Sequence, residues 1–136
     1  MHLEVARFGI RVLDVQPGLT TSDCGAKMKQ AGGMYGCTYS LLTNWYPRYK
    51  IAVRYGDLTQ PKNLKPLVTS RTRVVYFETP VNPTMDLIDI GAIRSVIDRA
   101  NQSRPDHKKI LMIIDNTFAT PYCQRPLQLG ADMTLK

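Results

Sequence analysis

Three short apolar runs punctuate the chain, at 51–55 (Ile-Ala-Val-Arg-Tyr), 74–77 (Val-Val-Tyr-Phe) and 110–114 (Ile-Leu-Met-Ile-Ile). They are short, rich in β-branched or aromatic residues and bounded by turn formers, which predicts strands. The third is apolar throughout, the pattern of a strand covered on both faces of a sheet. Between the runs the apolar spacing lengthens. Ile90, Ile93, Val96, Ile97 and Ala100 recur at helical spacing, with Asp89 placed to cap the helix start. The segment from Asn101 to Asp106, with Pro105 inside it, ends that helix. A second helix is predicted over 38–46, stopping before Pro47. A shorter one follows Pro61, with Leu64, Leu67 and Val68 on its inner side. Strand, helix, strand, helix, strand is the order of an α/β domain with a mostly parallel sheet. Residues 1–33 mix Gly, Thr, Ser, Lys and Asp with weak periodicity, and no element is assigned to them. No internal repeat or low-complexity tract interrupts the pattern.

Composition narrows the class. The 136 residues fit one domain, and 43% hydrophobic with 21% charged residues is an ordinary globular balance. No run approaches the ~20 apolar residues that span a bilayer. The N-terminus carries an early acid, Glu4, and no apolar run, so it does not read as a secretory signal. The expectation is a soluble, cytoplasmic protein with no membrane partner. Cys24, Cys37 and Cys123 are odd in number and lack metal-site spacing, and His2 and His107 stand apart, so no metal site is predicted. The net charge of +7, from 18 basic and 11 acidic residues, admits a nucleic-acid partner. The basic residues are scattered, however, and only Lys108-Lys109 forms a doublet, which fits a solvated surface better. An anionic cofactor would suit the same charge.

Candidate chemistry gathers where the strands end. Glu78 follows the second run and Asp115 the third. Ligands of open parallel sheets bind beyond the carboxyl ends of the strands. Both acids lead into proline-containing turns, Glu78-Thr79-Pro80-Val81-Asn82-Pro83 and Asp115-Asn116-Thr117-Phe118-Ala119-Thr120-Pro121, and such turns are stiff. On pattern alone two roles stand side by side: acids that cap the next element, or acids aimed at a ligand.

The stretch Val75-Tyr76-Phe77-Glu78-Thr79-Pro80-Val81-Asn82-Pro83-Thr84 resembles the Glu-Thr/Ser-Pro-x-Asn-Pro segment of the pyridoxal-phosphate (PLP) enzymes of cysteine and methionine metabolism. Asp115 through Asp132 is similar to that family's most diagnostic stretch, and Met34-Tyr35-Gly36-Cys37-Thr38-Tyr39 resembles its Tyr-Gly-Gly-Thr motif. The three motifs come in the family's order and approximate spacing, over roughly residues 34–132. The resemblance implies the aspartate-aminotransferase-like fold, with residues 34–136 as part of its PLP-binding large domain, and PLP as cofactor. It implies a sulfur amino acid as substrate, C–S cleavage or γ-replacement as reaction, and a homotetramer as assembly.

Roles follow position by position. Asp115 would pair with the pyridinium nitrogen and keep it protonated, so that the ring accepts electrons. Tyr35 would stack on the ring and assist proton transfer, although without the family it reads as a turn aromatic. Asn82 would lie beside the ring's phenolic oxygen, and is equally an Asn-Pro turn former. Glu78 would hold its loop, and Arg125 receives no catalytic role. Cys37, where glycine is commoner, resembles methionine γ-lyase-like members, and a neutral small substitution accounts for it as well. The family's Schiff-base lysine lies in a Ser-x-Thr-Lys segment after Gly-Ala-Asp, whereas Gly130-Ala131-Asp132 is followed by Met133-Thr134-Leu135-Lys136. Lys136 lacks that context, and residues 1–33 show no Ser-Gly-Met phosphate loop. The chain is therefore expected to be a fragment, inactive alone. The alternatives are a non-catalytic remnant that associates with a full-length homologue, and a basic nucleic-acid-binding domain.

Overall fold

The computed structural model describes Arg11–Asp14, residue 38, and residues 40–82 and 84–136. They build one five-stranded sheet, every pair of neighbours parallel, in the order β2-β1-β3-β4-β5. The strands are β1 (Arg11–Asp14), β2 (Ala52–Arg54), β3 (Thr72–Glu78), β4 (Leu111–Asp115) and β5 (Met133–Leu135). Helix α1 (Ile90–Asn101) crosses from β3 to β4, and one turn of helix, α2 (Thr120–Cys123), lies between β4 and β5. The expected α/β, mostly parallel architecture is thus present. The strand order turns back on itself between β1 and β3, the kind of switch point at which open sheets leave a crevice at their carboxyl ends.

Packing holds α1 on one face of this sheet. Ile90, Ile93 and Ile97 are buried together with Val75 and Phe77 of β3 and Met112 and Ile114 of β4. Each such side chain contributes roughly 1.5–3 kcal/mol on burial. The Asp89 cap, which accepts a 2.9 Å bond from the Ala92 amide, adds about 1 kcal/mol. Burial therefore outweighs capping here. Leu64, from a 3-10 turn at Pro61–Leu67, closes the same core, with Leu67 and Val68 packed beside it.

Several expectations change. The run 110–114 is not covered on both faces. Met112 and Ile114 are buried, while Leu111 is 47% exposed, and its face continues across β5 in Met133 and Leu135, which are 50% and 44% exposed. The physical reason is that α1 and the Pro61–Leu67 turn cover the same side. The segment predicted as a helix over 38–46 forms a wide π-type turn at Leu41–Trp45, then a 3-10 turn at Tyr46–Tyr49. Pro47 does not end the helical path. It sits in the first turn of the 3-10 segment, where its missing N–H costs nothing. The segment after Pro61 is 3-10 rather than α, with Pro66 inside it. Arg11–Asp14, within the unassigned residues 1–33, is an inner strand of the sheet. Met133–Leu135, a terminal run with no element predicted for it, is the sheet's edge.

Arg104 ties the amino end of the sheet to the helix. Its guanidinium donates to the carbonyl oxygens of Thr69 (2.5 Å), Thr72 (2.9 Å) and Ala100 (3.2 Å). Burial, and secondarily the neighbouring charge of Arg73, lower its pKa from the ordinary arginine value. All of this lies at the opposite end from the strand-end acids.

Candidate functional site

The carboxyl ends of β3 and β4 lie side by side, with Glu78 in register with Asp115. In-register partners of a parallel pair share a face, and residues two apart along a strand do too. Tyr76, Glu78 and Asp115 are therefore grouped on the face away from α1. Asp115 is half-buried and Glu78 buried.

Asp115 is fixed by two residues. Its Oδ1 accepts the Thr117 amide at 3.0 Å and the Thr117 hydroxyl at 2.6 Å. Its Oδ2 accepts the Tyr76 hydroxyl at 3.3 Å. A carboxylate oxygen accommodates two donors, so Oδ2 keeps room for one from a ligand. The main chain holds the same residue, since its carbonyl accepts the Thr79 amide at 3.3 Å.

Two loops frame this carboxylate, and one side chain joins them. Gln124 Nε2 donates to the Thr79 carbonyl and to Asn116 Oδ1, both at 2.8 Å, and the Gln124 carbonyl accepts from Asn116 Nδ2 at 3.0 Å. Thr79 and Asn116 are buried. Thr79 Oγ1 also accepts the Ile88 amide at 3.0 Å, drawing the loop back onto its base. Non-glycine residues adopt left-handed backbone in each loop, Met85 at φ 60° and Thr120 at φ 58°. For a β-branched residue that conformation costs on the order of 1–2 kcal/mol, met here by the surrounding hydrogen bonds.

Of the three predicted site residues, Asp115 stands at the strand end. Asn82 lies half-buried in the turn closed by the Val81–Asp86 and Met85–Val81 backbone bonds, and no hydrogen bond joins it to Asp115 among the described residues. Tyr35 lies outside the described residues. Arg125 donates to the Pro121 carbonyl at 3.4 Å. Sequence reasoning misses Tyr76, Thr117 and Gln124. Asp-x-Thr spacing signals the turn at Thr117 but not its place in a site, whereas Tyr76 needs the strand register and Gln124 needs the fold.

The sequence profile of the "Cys/Met metabolism PLP-dependent enzyme" family matches residues 19–136. The chain belongs to this family. Among curated relatives of this Cys/Met metabolism PLP-dependent chain, it is 42% identical over 102 residues to an L-methionine gamma-lyase of Treponema denticola and 38% identical over 102 residues to one of Pseudomonas deceptionensis. It is 36% identical over 117 residues to a cystathionine beta-lyase of Lactococcus lactis subsp. cremoris. The gamma-lyase matches cover 75% of this chain and 24% of each relative, and the beta-lyase match covers 86% and 29%. The chain thus spans about a quarter of the length of the curated relatives it matches. Its fold resembles that of the O-acetylhomoserine sulfhydrylase of Wolinella succinogenes, with a TM-score of 0.69 and 23% identity, over 93% of this chain and 29% of that one.

The family is PLP-dependent, and the Asp115 environment fits the ring of that cofactor. A cationic ring nitrogen needs a carboxylate held still with one oxygen turned toward it. Thr117 occupies Oδ1 and leaves Oδ2 with capacity for a donor. Among the described residues no helix is long and apolar enough to cross a membrane.

Proposed function

We propose that this chain supplies the ring-binding face of a PLP-dependent enzyme of sulfur amino-acid metabolism, acting in C–S bond cleavage or γ-replacement. The observation that carries this is Asp115, at the carboxyl end of an inner parallel strand, with Oδ1 locked by Thr117 and Oδ2 available to a ligand. The kinship with gamma- and beta-lyases supports the reaction class. PLP, when bound, supplies a protonated ring that accepts the electron pair released at the substrate's α-carbon. Asp115 would hold the proton on the ring nitrogen, because a fixed negative charge favours the cationic form. Asn82 would donate to the ring's phenolic oxygen, and Tyr35 would stack on the ring. The Gln124 bridge keeps the two loops from moving apart when a ligand enters between them.

The test is Asp115→Asn in a chimera in which residues 34–132 replace the corresponding segment of a methionine gamma-lyase. An amide of the same size keeps the turn but supplies no charge. Losing ~4 kcal/mol of transition-state stabilisation slows turnover about a thousandfold. An Asn variant that kept most of the chimera's C–S cleavage rate would sink the assignment, and a large loss of rate with an unchanged circular-dichroism spectrum would support it.

A further inference from the structure

The hydroxyl of Tyr76 reaches Asp115 across the sheet. Tyr76 pairs in register with Ile113, so Asp115 is its diagonal neighbour, two residues on along β4 and on the same face. The phenol spans that diagonal and donates to Oδ2 at 3.3 Å, while both Oδ1 bonds come from Thr117. The two ends of the carboxylate are thus held by different elements, Oδ1 by the residue two positions on in its own turn and Oδ2 by the adjacent strand. Hydrogen bonds are elastic, so with Thr117 alone small coupled changes of χ1 and χ2 would keep both Oδ1 bonds and still swing Oδ2, the unheld end. The Tyr76 bond sets where the second oxygen points. It is long for an O–H···O bond, so it orients more than it binds, and it leaves Oδ2 open on its remaining side.

We propose that Tyr76 is a positioning residue for Asp115, holding Oδ2 toward the cofactor's ring nitrogen. This rests on the reading of Asp115 as the ring-nitrogen partner. A purely structural Tyr76 would fill space on the half-exposed face, a task that phenylalanine performs equally well, and its loss would weaken every ligand of the site alike. A positioning Tyr76 acts only on ligands that have a ring nitrogen to hold.

The experiment compares pyridoxal 5′-phosphate with its 1-deaza analogue, in which a C–H replaces the ring nitrogen. Each is titrated into the cofactor-free form of the methionine gamma-lyase chimera that carries residues 34–132 and followed by circular dichroism, whose visible band reads the bound ligand and whose far-ultraviolet band reads the fold. The unaltered chimera is expected to prefer PLP by on the order of tenfold or more, the value of a charge-assisted hydrogen bond. Tyr76→Phe narrows that preference about three- to tenfold, and Asp115→Asn removes it. A preference unchanged in Tyr76→Phe but lost in Asp115→Asn overturns the role of Tyr76 and leaves the site reading standing. A preference that survives Asp115→Asn, or is absent from the unaltered chimera, overturns the site reading and the role of Tyr76 with it. The same spectra report whether each variant is folded. If Tyr76→Phe is not, 3-fluorotyrosine at position 76 replaces it. That residue keeps the shape and sharpens the donor, so the preference widens if Tyr76 positions Asp115, and an unchanged preference counts against it.

Discussion

Asp57 and Asp115 make the same local bonds. Asp57 Oδ1 accepts the Thr59 amide at 2.9 Å and its hydroxyl at 2.5 Å, as Asp115 does from Thr117. The Asp-x-Thr turn is therefore a folding device that occurs twice among the described residues, and by itself it marks no function. What separates the two residues is the strand end beneath Asp115 and the Tyr76 hydroxyl beside it. Asparagine accepts the same amide bond, so Asp57→Asn and Asp115→Asn are both expected to keep the chain's folded spectrum, with only the second changing its affinity for PLP. Gly130 makes the opposite case, a residue chosen by backbone. It ends a 3-10 turn at φ 99°, and a Cβ there would meet Arg94 Cγ at 2.9 Å. Arg94 bonds Asp132 at 3.0 Å, and Asp132 accepts the Met112 amide at 2.7 Å, so the clash would pass to the start of β4. Gly130→Ala is expected to cost about 2 kcal/mol from left-handed strain and the displaced arginine, read as a lowered urea midpoint with unchanged m-value.

At the scale of elements, the site depends on two loops from adjacent strands keeping one relative position, and Gln124 is the link. Removing its amide leaves the Thr79 carbonyl and Asn116 Oδ1, both in buried residues, without that donor. An unsatisfied buried acceptor costs roughly 1–3 kcal/mol. Gln124→Ala is expected to destabilise the chain by an amount in that range, and Gln124→Glu by more, since a carboxylate would face two acceptors. A Gln124→Glu variant as stable as Gln124→Ala in urea titration would show that the bridge carries no such weight. The strands β2, β3 and β4 and the helix α1 are legible in the order of residues, because period two and period 3.6 are properties of the residues in line. The 3-10 segments are not. Proline permits an α-helical or a 3-10 first turn equally, and the choice at Pro47 and Pro61 is made by what the turn packs against.

For the whole molecule, the consequential feature is one bare face. Val75, Phe77, Met112 and Ile114 are buried under α1, while Leu111, Met133 and Leu135 on the other side are 44–50% exposed. Among the described residues β2 and β5 are the edges of the sheet, the positions from which a sheet takes on a further strand. Exposed apolar surface beside open edges favours association. The 136-residue chain is expected to self-associate at micromolar concentration, and the pair Leu111→Lys and Met133→Lys to shift it toward monomer, measured by sedimentation velocity. A wild-type chain that sediments as a monomer across that range would refute the expectation.

The sequence alone determined the class of fold and the family, and it pointed to Asp115. Those depend on local order: apolar period, acids placed where strands stop, and motifs contiguous along the chain. Tertiary structure decided what contiguity cannot. The 39-residue separation of Tyr76 and Asp115 is closed only by the register of β3 on β4, and a shift of one residue would send Tyr76 to the other face. Likewise, Arg11–Asp14 has no pattern of its own strong enough to announce a strand, and becomes one because β2 and β3 each offer it a ladder of hydrogen bonds. Which face of 110–114 is covered was settled by the side on which α1 crosses from β3 to β4, a matter of chain handedness rather than of the residues in the strand.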